Sequence, residues 1–142
     1  MLFDTSVIVA ALVAGHVHHA RASAWLRRAH SPELQLVVAT HTLAELYSVL
    51  SALPSRPRIS PREALSLIEE NVERHARLVS LSEADYLATL RDLAARSLAG
   101  GVVFDALLVR AARNAEVDRL LTLNLSDFRR IWPEGEGILI EP

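Results

Sequence analysis

The sequence predicts an α/β fold: a parallel sheet covered by helices on both faces. Three observations predict it. Short apolar runs rich in Leu, Val and Ile alternate with longer segments of helical periodicity along the whole chain. The runs are continuously apolar instead of alternating, as strands buried on both faces are. No repeat, low-complexity segment or linker composition interrupts the 142 residues, so the length suits one domain, 1–142, around a sizeable core.

The elements follow in order. Leu2-Phe3 is a strand that ends at Asp4, and Thr5 to Val13 is a small buried helix stopped by Gly15. His19 to Ala29 is amphipathic, with Ala22, Trp25, Leu26 and Ala29 on one stripe. Leu34 to Ala39 (LQLVVA) is a buried strand, and His41 to Leu53 a helix carrying Leu43, Leu46, Tyr47 and Leu50. Pro54 to Pro57 breaks that helix. In "SPRE", Ser60 is an N-cap, Pro61 fits the first helical position and Glu63 completes a capping box; Leu65, Ile68 and Val72 form the apolar face. Leu78 to Leu81 is a strand. Ser82 and Asp85 open a long helix with Leu87, Leu90, Leu93, Ala94 and Leu98 inward, closed by Gly100-Gly101. Asp105 to Asn114 is an apolar helix and Leu120 to Leu123 a strand. Ser126 caps a short helical turn, and Ile138 to Ile140 is the last strand.

Composition removes several function classes. A net charge of −2 argues against a polybasic nucleic-acid or membrane binder, though not against a local basic patch. There is no cysteine, hence no disulfide, thiolate metal site or cysteine nucleophile. There is no lysine, which excludes a Walker A loop and a Schiff-base enzyme. No apolar stretch is long enough to span a bilayer. The N-terminus carries Asp4 instead of a basic stretch, so no signal peptide is expected and the default location is cytoplasmic.

The acids then stand out by position. Asp4 ends the first strand, Glu45 lies one turn into the helix after the second, and Asn124 ends the fourth with Asp127 three residues on. Asp105 follows "GGVVF", read as a non-helical approach to the same edge. Ligands of open α/β sheets bind beyond the carboxyl ends of the strands, so these residues converge on one crevice. Clustered carboxylates raise one another's pKa unless a cation joins them, and hard cations such as Mg²⁺ or Mn²⁺ take oxygen ligands. Metal-assisted hydrolysis of a phosphodiester is the chemistry such a set supports. The Thr5 and Ser6 hydroxyls would hold metal waters or hydrogen-bond the acids. Each acid also fits a purely structural role: Asp4 and Asp105 as N-caps, Thr42 and Glu45 as a capping box, and Asp127 as a first-turn acid facing the helix dipole.

"LFDTSVIVAAL", "TLAELYSVL", "FDALLVRAARNAEVDRLLTLNLSDF" and the closing "GILIEP" resemble the PIN domain family, most closely VapC-type toxins of toxin–antitoxin pairs. The resemblance covers essentially the whole chain and rests on the ordered set of motifs. It implies a PIN-like three-layer α/β fold, a five-stranded parallel sheet with helices on both faces. It implies an endoribonuclease that depends on Mg²⁺ or Mn²⁺. By motif, the family's first three acids, the metal ligands, fall on Asp4, Glu45 and Asp105; the small polar residue falls on Ser6 and the threonine of the last motif on Thr122. The fourth acid falls on Asn124, a departure that puts a second, tightly held metal in doubt and leaves Asp127 as a substitute. The resemblance further implies an RNA substrate, a small antitoxin partner lying across the site, and a homodimer.

Other features are less pointed. "GHVHHA" clusters His16, His18 and His19, either a solvated loop or a transition-metal site. His41 follows the second strand and could face the crevice. Arg27-Arg28 and Arg129-Arg130 are candidate phosphate contacts or plain exposed arginines. A haloacid-dehalogenase-type phosphatase would want an aspartate where Ser6 stands, and a receiver domain would want a lysine. A degenerate PIN fold that binds RNA or protein without cutting is the non-enzymatic alternative.

Overall fold

The computed structural model describes residues 1–54 and 57–142. Five short strands, β1 (Leu2–Phe3), β2 (Val37–Ala39), β3 (Arg77–Val79), β4 (Leu120–Leu121) and β5 (Leu139–Ile140), form one sheet in the order β3-β2-β1-β4-β5. All pairings are parallel, with Leu2 in register with Val37 on one side and Leu120 on the other. The chain leaves β1 in one direction to build β2 and β3, then crosses back to add β4 and β5. The switch point therefore lies between β1 and β4, the place where such sheets bind ligands.

Strand alternation sorts the core into two layers. Phe3, Val38 and Leu121 point to the face covered by α1 (Thr5–Leu12), α2 (His19–Ala29), α3 (Thr40–Ala52) and α4 (Pro61–Ile68). Leu2, Val37 and Leu120 point to the face covered by α5 (Glu83–Ala95), α6 (Val102–Asn114) and α7 (Leu125–Ile131). The expected three-layer α/β architecture is what forms. Among the described residues no helix is long and apolar enough to cross a membrane.

The capping signals locate helix starts well. Ser60 with Glu63, and Ser82 with Asp85, both form reciprocal capping boxes. The ends read less well. α5 stops at Ala95, before the double glycine, because Ser97 takes a left-handed conformation (φ 54°) and the Leu98 N–H returns to the Leu93 carbonyl. Leu98 thus lies past the helix yet still packs on the core. The inward stripe of α5 is Thr89 and Leu93, whereas Leu87 and Leu90 are exposed. Leu65 of α4 is exposed as well. Arg96 ties α5 to α7 by donating to the Arg130 and Ile131 carbonyls, each at 2.9 Å, at the negative end of the α7 dipole. The break expected over Pro54 to Pro57 lies partly outside the described residues, at 55 and 56.

Candidate active site

Asp4 stands where β1 becomes α1. Its backbone is extended and it occupies the N-cap position, but its side chain caps nothing. The carboxylate is turned toward β4 instead, and only 6% of the residue is exposed. Its Oδ2 accepts hydrogen bonds from Ser6 Oγ (2.5 Å) and Thr122 Oγ1 (2.8 Å). Each of those hydroxyls accepts a backbone N–H in turn: Asn124 donates to Thr122 Oγ1 at 2.9 Å and Leu123 to Ser6 Oγ at 3.2 Å. With their lone pairs so engaged, both hydroxyl protons are directed at Asp4. The capping interpretation of Asp4 is thereby replaced by a relay that joins the β1 end to the β4 end across the switch point.

Glu45 reaches the same crevice from α3. That helix begins at Thr40 with Ala39 at the N-cap, so Thr42 sits inside its first turn and forms no capping box with Glu45. Thr42 Oγ1 is buried without a hydrogen-bond partner among the described residues. Glu45 Oε2 accepts instead from Thr5 Oγ1 at 2.5 Å, which pins α3 to the start of α1. Asp105 comes from α6. The approach "VVF" is helical, since α6 starts at Val102, so Asp105 lies a turn inside the helix and is not its N-cap.

Asp4, Ser6, Glu45, Asp105 and Asn124 all line one open crevice of about 520 Å³. Asn124, at the N-cap of α7, lines it; Asp127 pairs with Arg130 at 3.8 Å and does not. Ser126 lies inside α7, so the cap position belongs to Asn124. His41 is not among the lining residues, and burial pushes its pKa down. None of the four singled-out arginines lines the crevice: Arg28 lies over the Trp25 ring and Arg129 pairs with Glu136. His16, Val17 and His18 do line it, as do Val49 and Phe104. No periodicity in the sequence would turn that loop toward the acids.

The electrostatics are those of crowded acids. Burial raises the pKa of Asp4, against hydrogen bonds from Ser6 and Thr122 that favour its anion. Burial, and then the Asp4 charge, raise Glu45, while the Thr5 hydrogen bond opposes them. Asp105 is pushed up to about 7 by burial, then by Asp4, Asp127 and Glu45, with Arg130 opposing. All three carboxylates thus hold protons more tightly folded than unfolded. Their contribution to stability is present at low pH and is lost as pH rises, for Asp105 between its unfolded value near 4 and about 7. His30 and His41, whose pKa values burial lowers, act in the opposite sense below about 6.5. A variant that keeps both histidines therefore isolates the carboxylate effect. In EDTA, the wild-type Tm measured relative to that of Asp105→Asn is expected to fall as pH rises from ~4 to ~7. A wild-type Tm that rises relative to Asp105→Asn over this range would refute the sign.

The donor set also fits a hard cation. It is all oxygen, Glu45 Oε1 accepts no hydrogen bond among the described residues, and none reaches Asp105. Among the described residues no group of three His, Asp or Glu side chains is gathered closely enough to hold a metal ion by itself. An open arc of carboxylates suits an ion that keeps much of its own water, as Mg²⁺ does.

The fold and crevice define a class. A family model described as PIN domain matches residues 1–132, and the chain belongs to that family. Its similarity lies with VapC proteins. Ribonuclease VapC27 of Mycobacterium tuberculosis is 39% identical over 109 residues, covering 77% of this chain and 74% of that protein. Ribonuclease VapC40 of the same organism is 34% identical over 130 residues, covering 86% and 84%. Two solved structures share the fold at 18% identity each. VapBC2 from Rickettsia felis, bound to a promoter DNA fragment, has a TM-score of 0.66 and covers 99% of this chain and 97% of that one. VapC20 of Mycobacterium tuberculosis, a sarcin–ricin-loop-cleaving toxin, has a TM-score of 0.65, covering 84% and 85%.

Proposed function

We propose that this protein is the endoribonuclease toxin of a VapBC-type toxin–antitoxin pair, hydrolysing RNA phosphodiester bonds with a Mg²⁺ or Mn²⁺ ion held by Asp4, Glu45 and Asp105. The observation that carries the reading is the meeting of these three acids, distant in sequence, in one crevice where Asp4 and Glu45 raise the pKa of Asp105. Three mutually repelling carboxylates are costly in a folded protein unless a cation offsets them. Bound there, the ion would supply an activated water and positive charge beside the phosphate. The chain's own residues set the geometry. Ser6 and Thr122 fix Asp4, Thr5 fixes Glu45, and Asn124 offers an amide in place of a fourth acid.

The same reading carries an antitoxin partner, a homodimer and a cytoplasmic location. Exposed Val17 and Phe104 at the crevice support a protein segment laid across it. A second reading, a degenerate PIN fold that binds without cutting, is favoured by Asn124 alone.

One assay separates them. Antitoxin-free protein is mixed with a labelled structured-RNA pool in Mg²⁺, Mn²⁺ or EDTA. Cleavage in either metal and none in EDTA is expected, together with a metal-dependent rise in Tm near pH 8. Cleavage undiminished in EDTA would remove the metal, and no cleavage together with no Tm response would leave the binding-module reading.

A further inference from the structure

The crevice has a wall that the carboxylate chemistry leaves unused. His16 and His18 line it, their ring centroids 5.7 Å apart. Two hydrogen bonds fix the tautomer of both. The His18 backbone N–H donates to His16 Nδ1 at 3.1 Å, so that nitrogen carries no proton. Arg21 Nη2 lies 2.9 Å from His18 Nδ1, and a guanidinium only donates, so this Nδ1 is an acceptor too. The proton of each neutral ring is left on Nε2.

We infer that His16 and His18 present their Nε2–H groups as the donors that hold a phosphate of the RNA substrate in the crevice. The inference rests on the nuclease reading and specifies how that site receives its substrate. A phosphate brought beside three carboxylates needs donors. No arginine is among the residues that line the crevice, the chain has no lysine, and the lining side chains with an N–H are His16, His18 and Asn124. An Nε2–H on each ring supplies such a donor to a phosphate oxygen. The same two bonds disfavour a transition-metal site: each Nδ1 lone pair is engaged, and each Nε2 bears its proton.

The test uses the full chain and the labelled structured-RNA pool, with Ca²⁺ in place of Mg²⁺ to keep the RNA whole. Imidazole ¹⁵N spectra first report the tautomers, and both Nδ1 atoms are expected to be unprotonated. His16→Leu and His18→Leu are each expected to weaken RNA binding about tenfold, the range for a hydrogen bond to a charged group. His16→Gln and His18→Gln keep an N–H near the same position and are expected to recover most of that loss. A protonated Nδ1 in either ring, or Leu variants that bind as wild type, would overturn the inference. If the wild type cleaves the pool in Mg²⁺ and the Leu variants bind normally, the histidine assignment alone fails. If the wild type neither binds nor cleaves the pool, the nuclease reading fails and takes the assignment with it.

Discussion

Asp4→Asn is expected to cut metal-dependent RNA cleavage by roughly 100- to 1,000-fold, the order of loss when one preorganised charge-stabilising group is removed. The fold is expected to survive. Asparagine has the same shape, and one of its side-chain atoms remains an oxygen able to accept from Ser6 and Thr122, the two hydroxyls that hold Oδ2. The substitution also removes a buried charge that raises the pKa of Glu45 and Asp105. The metal-free Tm at pH 8 should therefore hold or rise while activity collapses. Initial rates and calorimetry on the same preparation check both halves. A variant that keeps more than about a tenth of wild-type activity would remove Asp4 from the reacting centre.

Phe128→Ala is expected to cost ~3–5 kcal/mol of stability, the usual range for emptying a buried phenylalanine site. Phe128 is fully buried on α7 and belongs to the cluster containing Leu120, Ile131, Trp132 and Leu139. That loss is a large share of the ~5–15 kcal/mol that holds a typical domain folded. Its functional reach comes from the start of the same helix. α7 begins after Asn124, whose N–H holds the Thr122 hydroxyl that holds Asp4. Urea unfolding should show a lower midpoint with an unchanged slope. A loss below about 1 kcal/mol would mean that the neighbouring side chains collapse into the space.

The apolar strand runs, the two capping boxes, the strand-end position of Asp4 and the place of Glu45 on the helix after β2 were legible because each rests on local chemistry. "SPRE" and "SEAD" specify their caps within four residues. Helix ends were harder. Ser97 supplies a left-handed turn that glycine more often supplies, so the double glycine drew the boundary too late. The inward face of α5 was misjudged because leucines outnumber Thr89, and which stripe meets the sheet is settled by how the helix packs. Asp105 was placed at the crevice correctly but through a wrong local structure, a helix that starts before it. The part His16 and His18 take in the crevice was not legible at all, since it depends on how the turn between α1 and α2 folds back. No spacing rule encodes that path. The meeting of Thr122 with Asp4 is a long-range event of the same kind; the family motif singled out Thr122 but not its partner.

That meeting joins residues 118 positions apart. β1 leaves the ribosome well before its partner β4. Until translation has passed Asn124, Asp4 has neither the Thr122 hydroxyl nor the loop amide that fixes Ser6. A partly synthesised chain therefore holds its first acid without the frame that orients it. The order of synthesis thus keeps the crevice unassembled until the segment through Asn124 has emerged, and a message interrupted before it yields a fragment without a finished site.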